Sequence, residues 1–237
     1  MKLDRTTLAP DKAAMAALVN FAFELRGVRT LLDLYDDATD DILARRDPNL
    51  EVLKRAGIIL TVTAWETLIE TILTAQFETR VANASTPDDI RSTFNRVAQV
   101  WLDSTKPKPP DLAQWTGTSW KTLILDRFRR DIAELNTPSS TNIRKLFKKY
   151  LEVDIIAGWK WQRVSSSAAC QKLDRLIELR GDLVHRGKDY IFESKAKALR
   201  RQLVEAMNLV THLAERTAAA LKIPLPDEVL WRMHEKG

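Results

Sequence analysis

The side chains best placed for acid–base and phosphate chemistry near neutral pH sit in one short stretch of this sequence. The segment ELRGDLVHRGK, residues 178–188, holds Arg180 and His185 five residues apart, with Asp182 between them. An imidazole titrates close to neutrality and can give or take a proton, and a guanidinium fork fits a phosphate. Asp182 lies three residues before His185 and on nearly the same side of a helix, where a carboxylate can orient the ring and raise its pKa. The tripeptide Arg180-Gly181-Asp182 also spells a cell-adhesion motif.

Helical periodicity makes Arg180 unusual. On a helix over 166–185, Leu173, Leu176, Ile177 and Val184 are expected to form the apolar stripe, with Arg180 in its middle. A guanidinium on a core-facing side is costly unless it has a partner. His185 falls roughly 140° round from Arg180, so one straight helix does not aim both groups at one point. Either the Arg side chain wraps round, or two copies of the helix pool their residues. Gly181 costs a helix roughly 1 kcal/mol against Ala, and its bare backbone can admit a close neighbour or substrate. A second helix over 50–81 carries the matching oddity, since Glu66 shares a face with Ile59, Val62, Leu73 and Phe77. We expect Glu66 and Arg180 to meet inside the bundle, as part of a reactive site or as a structural pair without chemistry.

The elements that must position these groups are all helical. Punctuation falls between helix-length segments, no repeat appears, and seven Gly in 237 residues are few for a sheet protein. A first helix is expected over 10–36, with Leu18, Phe21, Leu25, Val28 and Leu32 on one stripe. Thr86-Pro87-Asp88-Asp89 opens a third helix, because Thr caps, Pro suits the first turn and acids suit the dipole. Further helices are expected over 119–135, 141–150 and 193–222, with a Trp-rich connection over 153–164. The expected fold is all-α, a single domain over 1–237, with a Pro-rich loop near 105–112 and an extended tail over 223–237.

Composition narrows the function classes. The net charge of +5 permits a polyanionic partner without requiring one. A single cysteine, Cys170, forms no internal disulfide and fits a reducing interior. The N-terminus has acids where a signal peptide needs an apolar run, and the most apolar stretch, 57–65, stops at Glu66, short of the roughly 20 residues of a span. We therefore expect a cytoplasmic protein without membrane association, which disfavours the adhesion reading. Three His and one Cys include no pair with ligand spacing, so no metal is expected, and no glycine loop suits a phosphate cofactor. Basic residues are scattered among acids; Arg186 and Lys188, flanking the Arg–His segment, are the best candidates to guide a polyanion such as a nucleic acid. Trp115 and Trp120 are the candidates to stack on a base.

Arg180-Gly-Asp-Leu-Val-His185 resembles the Arg-x4-6-His signature of HEPN domains. The chain resembles the RiboL-PSP-HEPN branch over about residues 50–190. The carriers are Ala64-Trp65-Glu66 in a long helix, Leu135-Asn136-Thr137-Pro138-Ser139 before a short helix with Leu146-Phe147, Trp159 and Trp161, and Leu173 to His185-Arg186-Gly187. The resemblance implies a HEPN-like helical bundle with extra helices. It implies a homodimer whose two Arg-to-His segments face a composite active site, and a metal-independent endoribonuclease. Such proteins serve as toxins, held by an antitoxin or partner protein, or as antiphage effectors. Arg180 and His185 are the motif residues by this resemblance, with Asp182 and Glu66 as further catalytic candidates. One departure stands out: the family usually has a polar residue directly after the Arg, where this chain has Gly181. That departure leaves a second reading, a non-catalytic helical module that binds RNA or a protein.

Overall fold

In the computed structural model, residues 9–39, 50–104, 115–135, 138–185 and 200–226 are described. Seven α-helices follow in order: α1 (Ala9–Ala38), α2 (Glu51–Asn83), α3 (Arg91–Ser104), α4 (Ser119–Ala133), α5 (Ser140–Tyr150), α6 (Ser166–His185) and α7 (Arg200–Ala220). Short 3-10 turns, Pro87–Ile90 and Ile155–Gly158, precede α3 and α6. There is no β-strand among the described residues, only an isolated bridge between Trp161 and Val164.

The long helix α2 is the axis around which the others pack. It touches α1, α4, α5, α6 and α7, and its apolar side chains Ile58, Val62, Trp65, Leu68, Ile69, Ile72, Leu73 and Phe77 are buried. On length and composition alone α2 could cross a membrane, contrary to the shorter apolar stretch read from sequence. Its burial within the bundle accounts for that hydropathy. The α1 stripe Leu18, Phe21, Leu25, Val28 and Leu32 is buried as expected.

Polar contacts tie the helix ends together. Asp36 near the end of α1 takes both branches of Arg200 at 2.7 Å, which anchors the start of α7. Lys54 is buried between Glu51, at 2.7 Å, and the Tyr35 hydroxyl, at 3.3 Å. Gly57 marks the closest crossing of α2 and α7, where an added Cβ would stand 2.7 Å from Leu203 Cδ2. The start of α5 is fixed twice. Ser139 caps it by accepting the Asn142 N–H, and Ser140 donates its N–H and its hydroxyl to Asp174 of α6, each at 2.8 Å.

The expected Pro-rich loop at 105–112 lies outside the described residues, as do 193–199 of the last expected helix and 227–237 of the tail.

Candidate active site

The sixth helix forms where the sequence placed it, and its wheel positions Arg180. Leu173, Leu176, Ile177 and Leu183 are buried, which leaves Arg180 half-buried at the edge of the apolar stripe. Val184 is a correction, because it is 45% exposed and Leu183 takes the core position in the last turn.

Glu66 of α2 faces this helix. Burial pushes its carboxyl up from the usual range, and the charge of Arg180 pulls it back in part. The two groups therefore lie within electrostatic reach of each other, short of the direct meeting expected from the wheel. They do not touch: no hydrogen bond or ion pair joins them, and Arg180 Nε is fully buried without a hydrogen-bond partner. An orphaned N–H of this kind costs free energy until an acceptor arrives. Glu70, one turn along α2, was missed in the sequence. Its carboxyl is raised by burial and then by the charge of Glu66. The i,i+4 spacing of the two acids was the available signal.

Gly181 and Asp182 are both half-buried. A Cβ added at Gly181 would meet nothing within 4 Å, so no neighbour among the described residues requires a glycine there. That open volume lies directly beside the motif Arg. His185 closes α6; its side chain lies outside the described residues, as do Arg186 and Lys188.

A second residue that sequence reasoning missed is Arg55 of α2. Its Nη2 donates to the carbonyl of Leu183 at 3.1 Å, two residues before His185. Leu183 belongs to the last described turn of α6. The contacts Arg55–Leu183 and Glu66–Arg180 run in opposite senses along the two helices, so α2 and α6 are antiparallel at the site.

The other aromatic and polar candidates have structural places. Trp65 meets Trp159 edge to face at 5.8 Å, and Trp159 donates its indole N–H to Thr217 of α7 at 3.0 Å. Trp161 stacks on His212 at 5.0 Å, and His212 pairs with Glu215 at 3.3 Å. Trp120 is 2% exposed and unable to receive a base, contrary to expectation. Trp115 is half-buried and set edge-on against Phe94 and Trp101. Burial raises the Cys170 thiol, which keeps it protonated rather than nucleophilic. Among the described residues no group of three His, Cys, Asp or Glu side chains is placed to hold a metal ion. A groove of about 320 Å³ between α1 and α2 lies on another face of α2, lined by Ala17, Asn20, Phe21, Ala64, Thr67 and Leu68 among others.

Comparison with known proteins bears on this geometry. No curated protein and no solved structure matches the chain significantly. The family model RiboL-PSP-HEPN matches residues 25–222, a span that runs from α1 to the end of α7 and contains Glu66, Arg180 and His185. The chain belongs to the RiboL-PSP-HEPN family.

Proposed function

We propose that the protein is an endoribonuclease that cuts RNA without a metal ion, by attack of the ribose 2′-OH on the adjacent phosphorus. The observation that carries this reading is the motif Arg180, held beside Glu66 with a buried N–H that has no acceptor. A phosphate oxygen is the acceptor that an uncompensated guanidinium fits best.

The reaction asks little of the protein. A base takes the 2′-OH proton, and the 2′-oxygen bonds to phosphorus. The bond from phosphorus to the 5′-oxygen breaks, and an acid protonates that oxygen. The products are a 2′,3′-cyclic phosphate and a 5′-OH. His185 serves as base or acid, and Arg180 stabilises the charge that builds on the phosphate. Asp182 orients the imidazole, and the nearby charge of Glu66 tunes the field around Arg180. Arg186 and Lys188 guide the strand. No cofactor takes part.

Positions 180 and 185 lie roughly 140° apart on one helix, so we take the site to be composite, built by a homodimer from two copies of α6. Exposed apolar side chains on the two site helices support this: Val52 and Leu60 on α2 and Val184 on α6 are each 45–58% exposed. The cellular role in this reading is that of a toxin or antiphage-defence effector, restrained by an antitoxin or partner protein.

Gly181 favours a second reading, in which the site binds RNA or a protein without cutting. Incubation with total RNA in EDTA separates the two. Wild type should cleave, and Arg180→Ala and His185→Ala should each lose about 100-fold or more. Equal cleavage by wild type and both variants would overturn the nuclease reading, and so would strict dependence on a divalent ion.

A further inference from the structure

We infer that Arg55 is a second phosphate-binding cation of the RNA site, pinned by the backbone of the motif helix. The inference rests on the reading of the protein as an RNA-binding HEPN nuclease, and it adds a residue that lies more than 120 positions from the Arg–His segment in sequence.

The Leu183 carbonyl stands between the motif positions 180 and 185 and carries a partial negative charge, the wrong potential for a phosphodiester laid across the segment. A cation at this spot offsets that repulsion. Arg55 supplies it, with Nη2 donating to the Leu183 carbonyl at 3.1 Å.

The geometry leaves Arg55 with capacity to spare. A guanidinium has five N–H donors, and the Leu183 carbonyl uses one. Arg55 has no carboxylate within ion-pair reach among the described residues. Glu51, one turn before it on α2, is engaged by Lys54 at 2.7 Å. So no described carboxylate takes up the positive charge of Arg55. Its side chain is half-buried, which lowers the entropy cost of ordering it and reduces solvent screening at the fork.

Its position suits a strand rather than a single ion. Arg55 and Glu66 are eleven residues apart, so they lie within roughly 20° of each other on the same face of α2. Arg180 lies beside Glu66, and Arg55 lies at the end of α6. A strand whose scissile phosphate reaches Arg180 can place another of its phosphates over Arg55.

The test is equilibrium binding of a short, fluorescein-labelled, mixed-sequence 2′-O-methyl RNA in EDTA, followed by anisotropy across a salt series. This probe lacks the nucleophile, so binding is read without cleavage. Arg55→Gln should weaken binding about tenfold near 0.1 M salt and reduce the log–log salt slope by about 0.7, the loss of one phosphate contact on a single strand. Arg55→Lys keeps the charge and should keep the wild-type slope with a smaller loss of affinity. An unchanged slope in a folded Arg55→Gln would overturn the assignment while leaving the nuclease reading intact. Should Arg55→Gln fail to fold, a fallen slope in Arg55→Lys overturns it as well. Wild-type protein that does not bind the RNA would overturn both.

Discussion

At the scale of single residues, the site is a balance between burial and charge. The Glu66 carboxyl is raised by burial despite Arg180, so its ionised form is less favoured in the fold than in the unfolded chain. The sign follows from linkage. The folded pKa exceeds the ordinary Glu value near 4.3, so the contribution of Glu66 to stability is fully present below that value and is lost as pH rises through the folded pKa. Glu66→Gln should therefore gain stability over wild type near pH 7, by less than about 1 kcal/mol given the partial exposure, and gain little near pH 4. Urea midpoints at the two pH values check this; a gain at low pH alone would contradict it. The same variant should lose RNA cleavage, which marks Glu66 as a residue kept for function at a cost in stability. Gly181 gives a second expectation. Its backbone is helical and its surroundings are open, so Gly181→Ala should stabilise the chain by about 0.5–1 kcal/mol. A loss of stability would show that something outside the single chain already occupies that space.

At the scale of elements, α6 is useful because its neighbours hold it near its middle and in its last described turn. Asp174 joins it to the start of α5 through two bonds to Ser140, and Arg55 joins its last turn to α2. Asp174→Ala would strand the Ser140 N–H and should cost about 1–2 kcal/mol in urea unfolding. A second clamp joins α4 to α5, where Asp131 receives Arg127 at 2.7 Å, the Tyr150 hydroxyl at 2.6 Å and Lys149. Burial would raise the Asp131 carboxyl, but the bonds from Lys149 and Tyr150 and the charges of Lys149 and Arg127 bring it below the usual value. This group stabilises the fold above the ordinary Asp pKa near 3.9, and that contribution is lost as pH falls through the lowered folded value. Asp131→Asn should be markedly less stable near pH 7, and its deficit should shrink below about pH 3.5. Thermal melts at both pH values read the difference.

Element boundaries were legible because their signals are local. Thr86-Pro87 and Ser139 stand at helix starts, and the α1 stripe repeats at helical spacing. The Arg180–Glu66 proximity was legible too, since a charge on an apolar face needs a partner. Arg55 was not, because a side chain that reaches a backbone carbonyl 128 residues away leaves no pattern in its own helix. Glu70 was overlooked for a related reason, as an acid on a charged helix face looks solvated until a neighbour buries it. Val184 misled because periodicity finds the inner face of an isolated helix, whereas the end of α6 has no neighbour over that side chain.

At the scale of the whole molecule, the account depends on pairing. The exposed apolar residues of α2 and α6 and the divergence of Arg180 from His185 both predict a homodimer in solution, which light scattering would record as about twice the mass of the chain. A stronger consequence is complementation. An equimolar mixture of Arg180→Ala and His185→Ala, allowed to exchange subunits, should recover part of the cleavage that neither shows alone. Independent sites in each subunit would leave the mixture as inactive as its components. The most direct measurement of the central claim is end-group analysis of RNA cut by the wild-type protein in EDTA. The account predicts fragments with 2′,3′-cyclic phosphate and 5′-OH ends, and almost none with His185→Ala. Fragments bearing 5′-phosphate, or no cleavage until a divalent ion is added, would contradict it.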